Sequence, residues 1–209
     1  KRISVLSVPI DCVTMDEAVQ RILQLNEQPG LHLVATANAE MVMLANENPT
    51  LHTILNDASL VVPDGAGILW AAERQGEHVP ERVTGVDVTK ELFKVAATHQ
   101  IPVYCLGAAP GVAQRAVDNL AAQVGELNIA GIHDGFFDSA EEQEIINTIG
   151  ESKAKLVFVA LGVPKQEQWI AEKLSHLDGV VAIGIGGSFD VLAGNIPRAP
   201  EWMQRNRLE

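Results

Sequence analysis

The chain has 209 residues, 47% hydrophobic and 20% charged, which is enough apolar side chain for a sizeable core and argues against disorder. A formal net charge of −12 speaks against nucleic acid as a partner, and against broad electrostatic adhesion of this part of the chain to an anionic bilayer. Cys12 and Cys105 lie far apart with no metal or redox spacing, as suits a reduced cytosolic setting. No apolar run approaches the ~20 residues of a membrane span, and Pro9 and Asp11 interrupt the N-terminus too soon for a signal peptide.

In chain order, Ile3 to Leu6 reads as a short strand. Thr14 and Glu17 have the spacing of a capping box, and the helix behind them carries Ala18, Val19, Ile22, Leu23 and Leu25 until Pro29-Gly30 ends it. Leu31 to Ala35 is a strand that runs into Thr36-Ala37-Asn38. Small polar residues between a strand and a helix have two readings: caps for helix amides, or the wall of a ligand pocket. Asn48-Pro49 opens a short helix to about Asp57. Leu60-Val61-Val62 then reads as the end of a buried strand, with Pro63 closing it because proline has no N–H for the ladder.

Asp64-Gly65-Ala66-Gly67 follows directly. In open α/β sheets, ligands sit beyond the carboxyl ends of the strands, so Asp64 is a general base or a ribose ligand in one reading. In the other it is a turn or N-cap residue. Arg82 precedes a helix that runs to about His99; its guanidinium fork suits a diphosphate, or a surface ion pair.

Ile101 to Leu106 is a strand ending in Gly107-Ala108-Ala109-Pro110-Gly111, where backbone amides at a helix start can approach a phosphate. The spacing is neither G-x-G-x-x-G nor a P-loop. Ile129 to Ile132 is a short strand, and His133-Asp134 reads as a turn rather than a metal pair because no third ligand stands near. Ser139 is expected to open a helix, with Glu142 completing a second capping box. Lys155 to Leu161, apolar on both faces, reads as a central parallel strand. Gly162-Val163-Pro164 leads into a helix whose first turn carries Lys165 and Gln166, either facing the same rim as Asp64 or simply solvated. Gly179 to Ile185 is the last strand, and Gly186-Gly187 offer amides after it.

This alternation predicts an α/β fold: a three-layer Rossmann-like domain over 1–195, with a mostly parallel sheet and helices on both faces. The loops at Thr36, Asp64, Gly107, Gly162 and Gly184 would then gather at one rim. Residues 196–209 are expected to leave the core and start a C-terminal appendage. Its last stretch, 201–209, resembles the opening of an amphipathic helix with no C-cap signal, so the appendage is expected to be cut short.

Six motifs occur in this order: Ala35-Thr36-Ala37-Asn38-Ala39-Glu40, Val62-Pro63-Asp64-Gly65, Glu81-Arg82-Val83-Thr84-Gly85, Leu106-Gly107, the run from Val159 to Glu167, and Gly186-Gly187-Ser188-Phe189-Asp190-Val191. Together they resemble the WecG/TagA/CpsF bacterial glycosyltransferases over essentially the whole chain, and the TagA-like branch in particular. The resemblance implies transfer of N-acetylmannosamine from UDP-N-acetylmannosamine to the 4-hydroxyl of N-acetylglucosamine on undecaprenyl diphosphate, the linkage unit of wall teichoic acid. Sister branches use UDP-N-acetylmannosaminuronic acid or UDP-glucose, so the donor is the softer part of that expectation.

The same resemblance implies roles residue by residue. Asp64 is the general base, with Thr36 beside it as a catalytic residue. Asn38, Arg82, Gln166 and Lys165 are pocket residues, together with Gly107, Gly186 and Gly187. It implies no cofactor and no metal, and the chain has no Asp-x-Asp pair in a suitable loop. It places the protein in the cytoplasm, peripheral at the inner face of the cell membrane, docked through the appendage, with self-association of the shortened chain expected. Departing UDP needs its charge offset, for which Arg82, Lys165 and loop amides are the local candidates. A nucleotide-binding module without transferase activity is the alternative of a different class. A dinucleotide dehydrogenase is disfavoured by the missing glycine fingerprint and the missing ribose acid.

Overall fold

The computed structural model describes residues 1–198; the helix expected at 201–209 lies outside them. The first element is a hairpin, not a lone strand: β1 (Arg2–Val5) pairs antiparallel with β2 (Val8–Asp11) through a turn at Leu6 and Ser7, both with positive φ. Pro9 hides β2 from a reading based on pattern, yet a two-stranded ribbon tolerates proline on its outer edge. The hairpin is a separate sheet and is tied down by Asp11, whose buried carboxylate accepts from Arg2, Arg21 and the Val61 amide.

The main sheet has six strands, all parallel: β3 (Leu31–Ala37), β4 (Leu60–Pro63), β5 (Val103–Gly107), β6 (Ile129–His133), β7 (Leu156–Ala160) and β8 (Val180–Gly184). Their order is β4-β3-β8-β7-β5-β6, so the expectation of a parallel three-layer α/β domain is met. The run from Leu156 to Ala160 is wholly buried and central, as its two-faced apolar pattern requires.

Helices cover both faces. On one lie α2 (Ala39–Glu47), α3 (Pro49–Asp57), α4 (Ala66–Arg74), α7 (Ser139–Glu151) and α8 (Lys165–Lys173), packed on strand residues such as Val157, Val159 and Ala182. On the other lie α1 (Met15–Leu25), α5 (Gly85–His99), α6 (Val112–Val124) and the short α9 (Ser188–Leu192), packed on Leu156, Phe158 and Ile183. Phe93 of α5 meets Phe158 of β7 with ring centroids 5.1 Å apart.

Two capping boxes occur among the described residues. That at Thr14 and Glu17 stands where the sequence puts it. The second is one residue earlier than expected: Asp138 caps α7 and Glu141 reaches back, because Asp competes well with Ser for the cap. Glu142 instead accepts from Trp169 Nε1 at 2.8 Å and pairs with Lys173, joining α7 to α8.

The winding sets up the functional end. From β5 the chain moves outward to β6 through α6 on one face; from β7 it moves back to β8 through α8 on the other. The carboxyl ends of β5 and β7 therefore diverge into a crevice, the usual position for a ligand in such sheets.

Candidate active site

Because the sheet is parallel throughout, the segments after all six strands reach the same rim, and the described residues form two cavities there. The smaller, about 390 Å³, is walled by Thr36 and Asn38 after β3, Asp64 after β4, Thr84 and Gly85 at the start of α5, Gln166 in α8, and Gly186-Gly187-Ser188 after β8. The larger, about 760 Å³, lies over the β5/β7 crevice and is walled by Ala108 and Ala109, Gly135 to Asp138, Leu161, Lys165 and Asp190. The first turn of α8 divides them, with Lys165 on one side and Gln166 on the other.

Asp64 leaves β4 with its amide bonded to the Ala37 carbonyl at 2.8 Å, which fixes the backbone at the strand end. Its Oδ2 accepts the Gly85 amide at 2.9 Å, so the carboxylate sits at the N-terminus of α5, where the helix dipole favours an anion. Thr84 caps α5 through the Asp87 amide. Glycine at 85 is a packing requirement: a Cβ there would stand 2.9 Å from Ser188 Oγ and 3.5 Å from Asp64 Oδ2.

Thr36 lies inside β3, which runs two residues further than the sequence suggests. Its buried hydroxyl donates to the Gly184 carbonyl on β8 at 2.9 Å. Asn38 caps α2, its Oδ1 taking the Met41 amide at 2.9 Å, and it lines the smaller cavity as well. Capping and pocket lining thus coincide in one residue. Gln166 is buried; its Oε1 accepts the Gly186 amide at 3.0 Å, and its Nε2 donates to Glu167 Oε1 at 2.7 Å.

The remaining expected residues are distributed differently. Lys165 belongs to the larger cavity, its Nζ 5.3 Å from the centre of the Phe137 ring. Gly107 is buried and walls neither cavity; a Cβ there would stand 2.3 Å from the Ala160 carbonyl oxygen, so its role is to let β5 close on β7. Arg82 is half-buried two residues ahead of Thr84 and does not wall the smaller cavity. A different guanidinium does. Asn195 to Arg198 turn back over α9, and Arg198 lines the cavity while gripping Asp87 with two bonds of 2.6 and 2.5 Å. Burial pushes the Asp87 carboxyl up, but hydrogen bonds from Arg198 and Thr84 outweigh it and hold the group below its ordinary range.

Two residues were missed. Arg198 stands in a stretch that reads as leaving the core, and no local pattern signals its return. Glu167 looks like a first-turn helix acid but has no exposed surface. Burial raises its carboxyl to about 7, only partly offset by the Gln166 hydrogen bond. His133 ends β6 and Asp134 opens the loop after it, with Asp134 Oδ1 taking the Phe136 amide at 2.8 Å. Among the described residues, no group of three or more His, Cys, Asp or Glu side chains is placed to hold a metal ion.

A carboxylate held at a helix N-terminus in a polar cavity, beside a second cavity on the β5/β7 crevice, places two candidate ligand sites at the carboxyl ends of the strands. The family comparison defines the class: a model described as "Glycosyl transferase WecG/TagA/CpsF family" matches residues 3–209, and the chain belongs to that family of glycosyltransferases. Three similar relatives share one printed name, N-acetylglucosaminyldiphosphoundecaprenol N-acetyl-beta-D-mannosaminyltransferase. That of Bacillus subtilis (strain 168) is 32% identical over 85% of this chain and 68% of its own length. That of Bacillus spizizenii is 35% identical over 88% and 71%. That of Staphylococcus aureus (strain NCTC 8325 / PS 47) is 30% identical over 100% and 82%.

Proposed function

We propose that the chain moves N-acetylmannosamine from UDP-N-acetylmannosamine to the 4-hydroxyl of N-acetylglucosamine on undecaprenyl diphosphate, with inversion at the anomeric carbon. The observation that carries this reading is the Asp64 carboxylate in the wall of a cavity shared with Thr36, Asn38 and Gln166, in a chain whose relatives bear that transferase's name.

Asp64 takes the proton of the acceptor hydroxyl as its oxygen attacks the anomeric carbon; the bond from that carbon to the diphosphate breaks, and UDP leaves with the electron pair. The Gly85 amide holds the carboxylate in place through the step. The smaller cavity takes the reacting sugars, and the larger takes the nucleotide, with the exposed ring of Phe136 as a platform for the base. Lys165 and Arg198, one in each cavity, offset the growing charge on UDP together with the amides around Gly186 and Gly187. The reaction proceeds without a metal ion. The lipid-linked acceptor brings the protein to the inner membrane face as a peripheral enzyme; among the described residues, no helix is long and apolar enough to cross a membrane.

The test is UDP release with each of UDP-N-acetylmannosamine, UDP-N-acetylmannosaminuronic acid and UDP-glucose, with and without a short-chain lipid-linked N-acetylglucosamine. The expected result is acceptor-dependent release with the first donor, unchanged by a chelator. UDP binding with no acceptor-dependent release from any donor would make the chain a nucleotide-binding module instead.

A further inference from the structure

Under the smaller cavity lies a carboxyl that the transfer step does not use. Glu167 has no exposed surface, and its Oε2 has no hydrogen-bond partner. No lysine or arginine among the described residues pairs with it; Oε1 accepts from Gln166 Nε2 at 2.7 Å, and the carboxyl is also hydrogen-bonded to its own backbone. The surroundings are built around this pair. A Cβ on Gly184 would stand 2.7 Å from Glu167 Oε1 and 2.8 Å from Gln166 Nε2, so only glycine at that position of β8 leaves room for both. The Gly184 carbonyl in turn receives the Thr36 hydroxyl.

The geometry fixes which way the Gln166 amide points. The Gly186 N–H, 3.0 Å from it, needs an acceptor, so the oxygen end of the amide must face Gly186. The nitrogen end then faces Glu167, which must accept. One N–H and one oxygen lone pair of Gln166 are left for the cavity that it lines.

We propose that Glu167 is a positioning residue: it holds the Gln166 amide so that its remaining N–H grips an oxygen acceptor of the sugar substrate, a role that rests on reading this cavity as the transfer site. Glu167 performs it as a neutral acid. An ionised carboxylate with no exposure, no cation and an unpartnered oxygen would bear the full penalty of lost hydration, whereas the neutral group still accepts through Oε1. An apolar residue of similar volume would remove the unpartnered Oε2 but leave the buried Gln166 Nε2 without its acceptor, so the carboxyl at this position is tied to the state of Gln166.

The test compares full-chain Glu167→Gln and Glu167→Met with wild type in three readouts: kcat and KM for transfer, the unfolding midpoint, and the side-chain amide resonances of Gln166 in ligand-free protein, assigned with Gln166→Leu. Glu167→Gln keeps an acceptor for Nε2 and is expected to preserve the Gln166 resonances and kcat/KM. Glu167→Met removes the acceptor. It is expected to lower the unfolding midpoint modestly, move the Gln166 resonances away from their wild-type positions, and lower kcat/KM by about tenfold, the equivalent of one lost buried hydrogen bond. Unmoved resonances or wild-type kcat/KM in folded Glu167→Met would overturn the proposal. If that variant does not fold, displaced resonances in folded Glu167→Gln would overturn it equally. A wild type without transferase activity would refute the reading of the site, while the resonances would still decide whether Glu167 holds Gln166.

Discussion

At the scale of single residues, the site sets two carboxyls in opposite electrostatic surroundings. Asp64 sits at a helix N-terminus in a polar cavity; Glu167 is shut in beneath it. Burial moves the Glu167 carboxyl from 4.5 to about 7, so between those values the native state keeps a proton that the unfolded chain has lost. The contribution of this group to stability is therefore full below about pH 4.5 and is lost as pH rises through about 7, by about 3 kcal/mol in total. Urea midpoints measured across that range should show the decline in wild type and a flatter profile in Glu167→Gln; parallel profiles would mean that the group ionises normally. Asp87 has the opposite sign. Its lowered carboxyl stabilises the fold above the ordinary carboxylate range, and that contribution is lost on acidification. Asp64, Thr36, Asn38 and Gln166 do wall the smaller cavity, but their positions alone left capping, turn and solvated readings open, and it was the resemblance of the motifs that singled them out. The sequence could not carry the fates of Glu167 and Arg198. One depends on how deeply α8 is seated against β8, the other on a chain reversal over α9.

At the scale of elements, glycines decide how closely the rim is drawn together. Gly107 has φ +120°, and a side chain there would meet the backbone of Ala160 on the neighbouring strand. Gly107→Ala should cost roughly 2–4 kcal/mol from overpacking plus an unfavourable φ, read as a lowered urea midpoint. Its effect falls on stability, not on a lost ligand contact. Gly85→Ala acts differently, pressing on Ser188 Oγ and on the loop that holds Asp64. It should lower kcat by about tenfold or more at nearly unchanged UDP affinity, since misplacing a reacting group by a fraction of an ångström weakens the transition state first. The strands and helices of the main sheet were legible because apolar periodicity and helix caps are local signals. The β1–β2 hairpin was half-hidden: Pro9 breaks the strand pattern, and the positive φ at Leu6 and Ser7 occurs in residues that do not advertise a turn. The shift of the second capping box from Ser139 to Asp138 is a choice between adjacent good caps, which sequence spacing alone does not resolve.

At the scale of the whole molecule, the parallel main sheet brings six strand ends to one rim, where the first turn of α8 separates the cavity over the β5/β7 crevice from the one around Asp64. The parallel order was readable from the alternation of strands and helices; the division was not, because it depends on which face each crossover helix takes. If the larger cavity binds the nucleotide, Phe136→Ala should raise KM for the donor several-fold and leave KM for the acceptor unchanged, about the loss of one stacked ring. A rise in acceptor KM alone would reverse the assignment of the two cavities. Transfer as proposed depends on Asp64 taking a proton in the smaller cavity. The direct measurement is single-turnover transfer by Asp64→Asn beside a calorimetric titration of the same protein with UDP. The account predicts a loss of about 10²- to 10⁴-fold in rate with UDP affinity close to wild type; transfer at the wild-type rate by Asp64→Asn would contradict it.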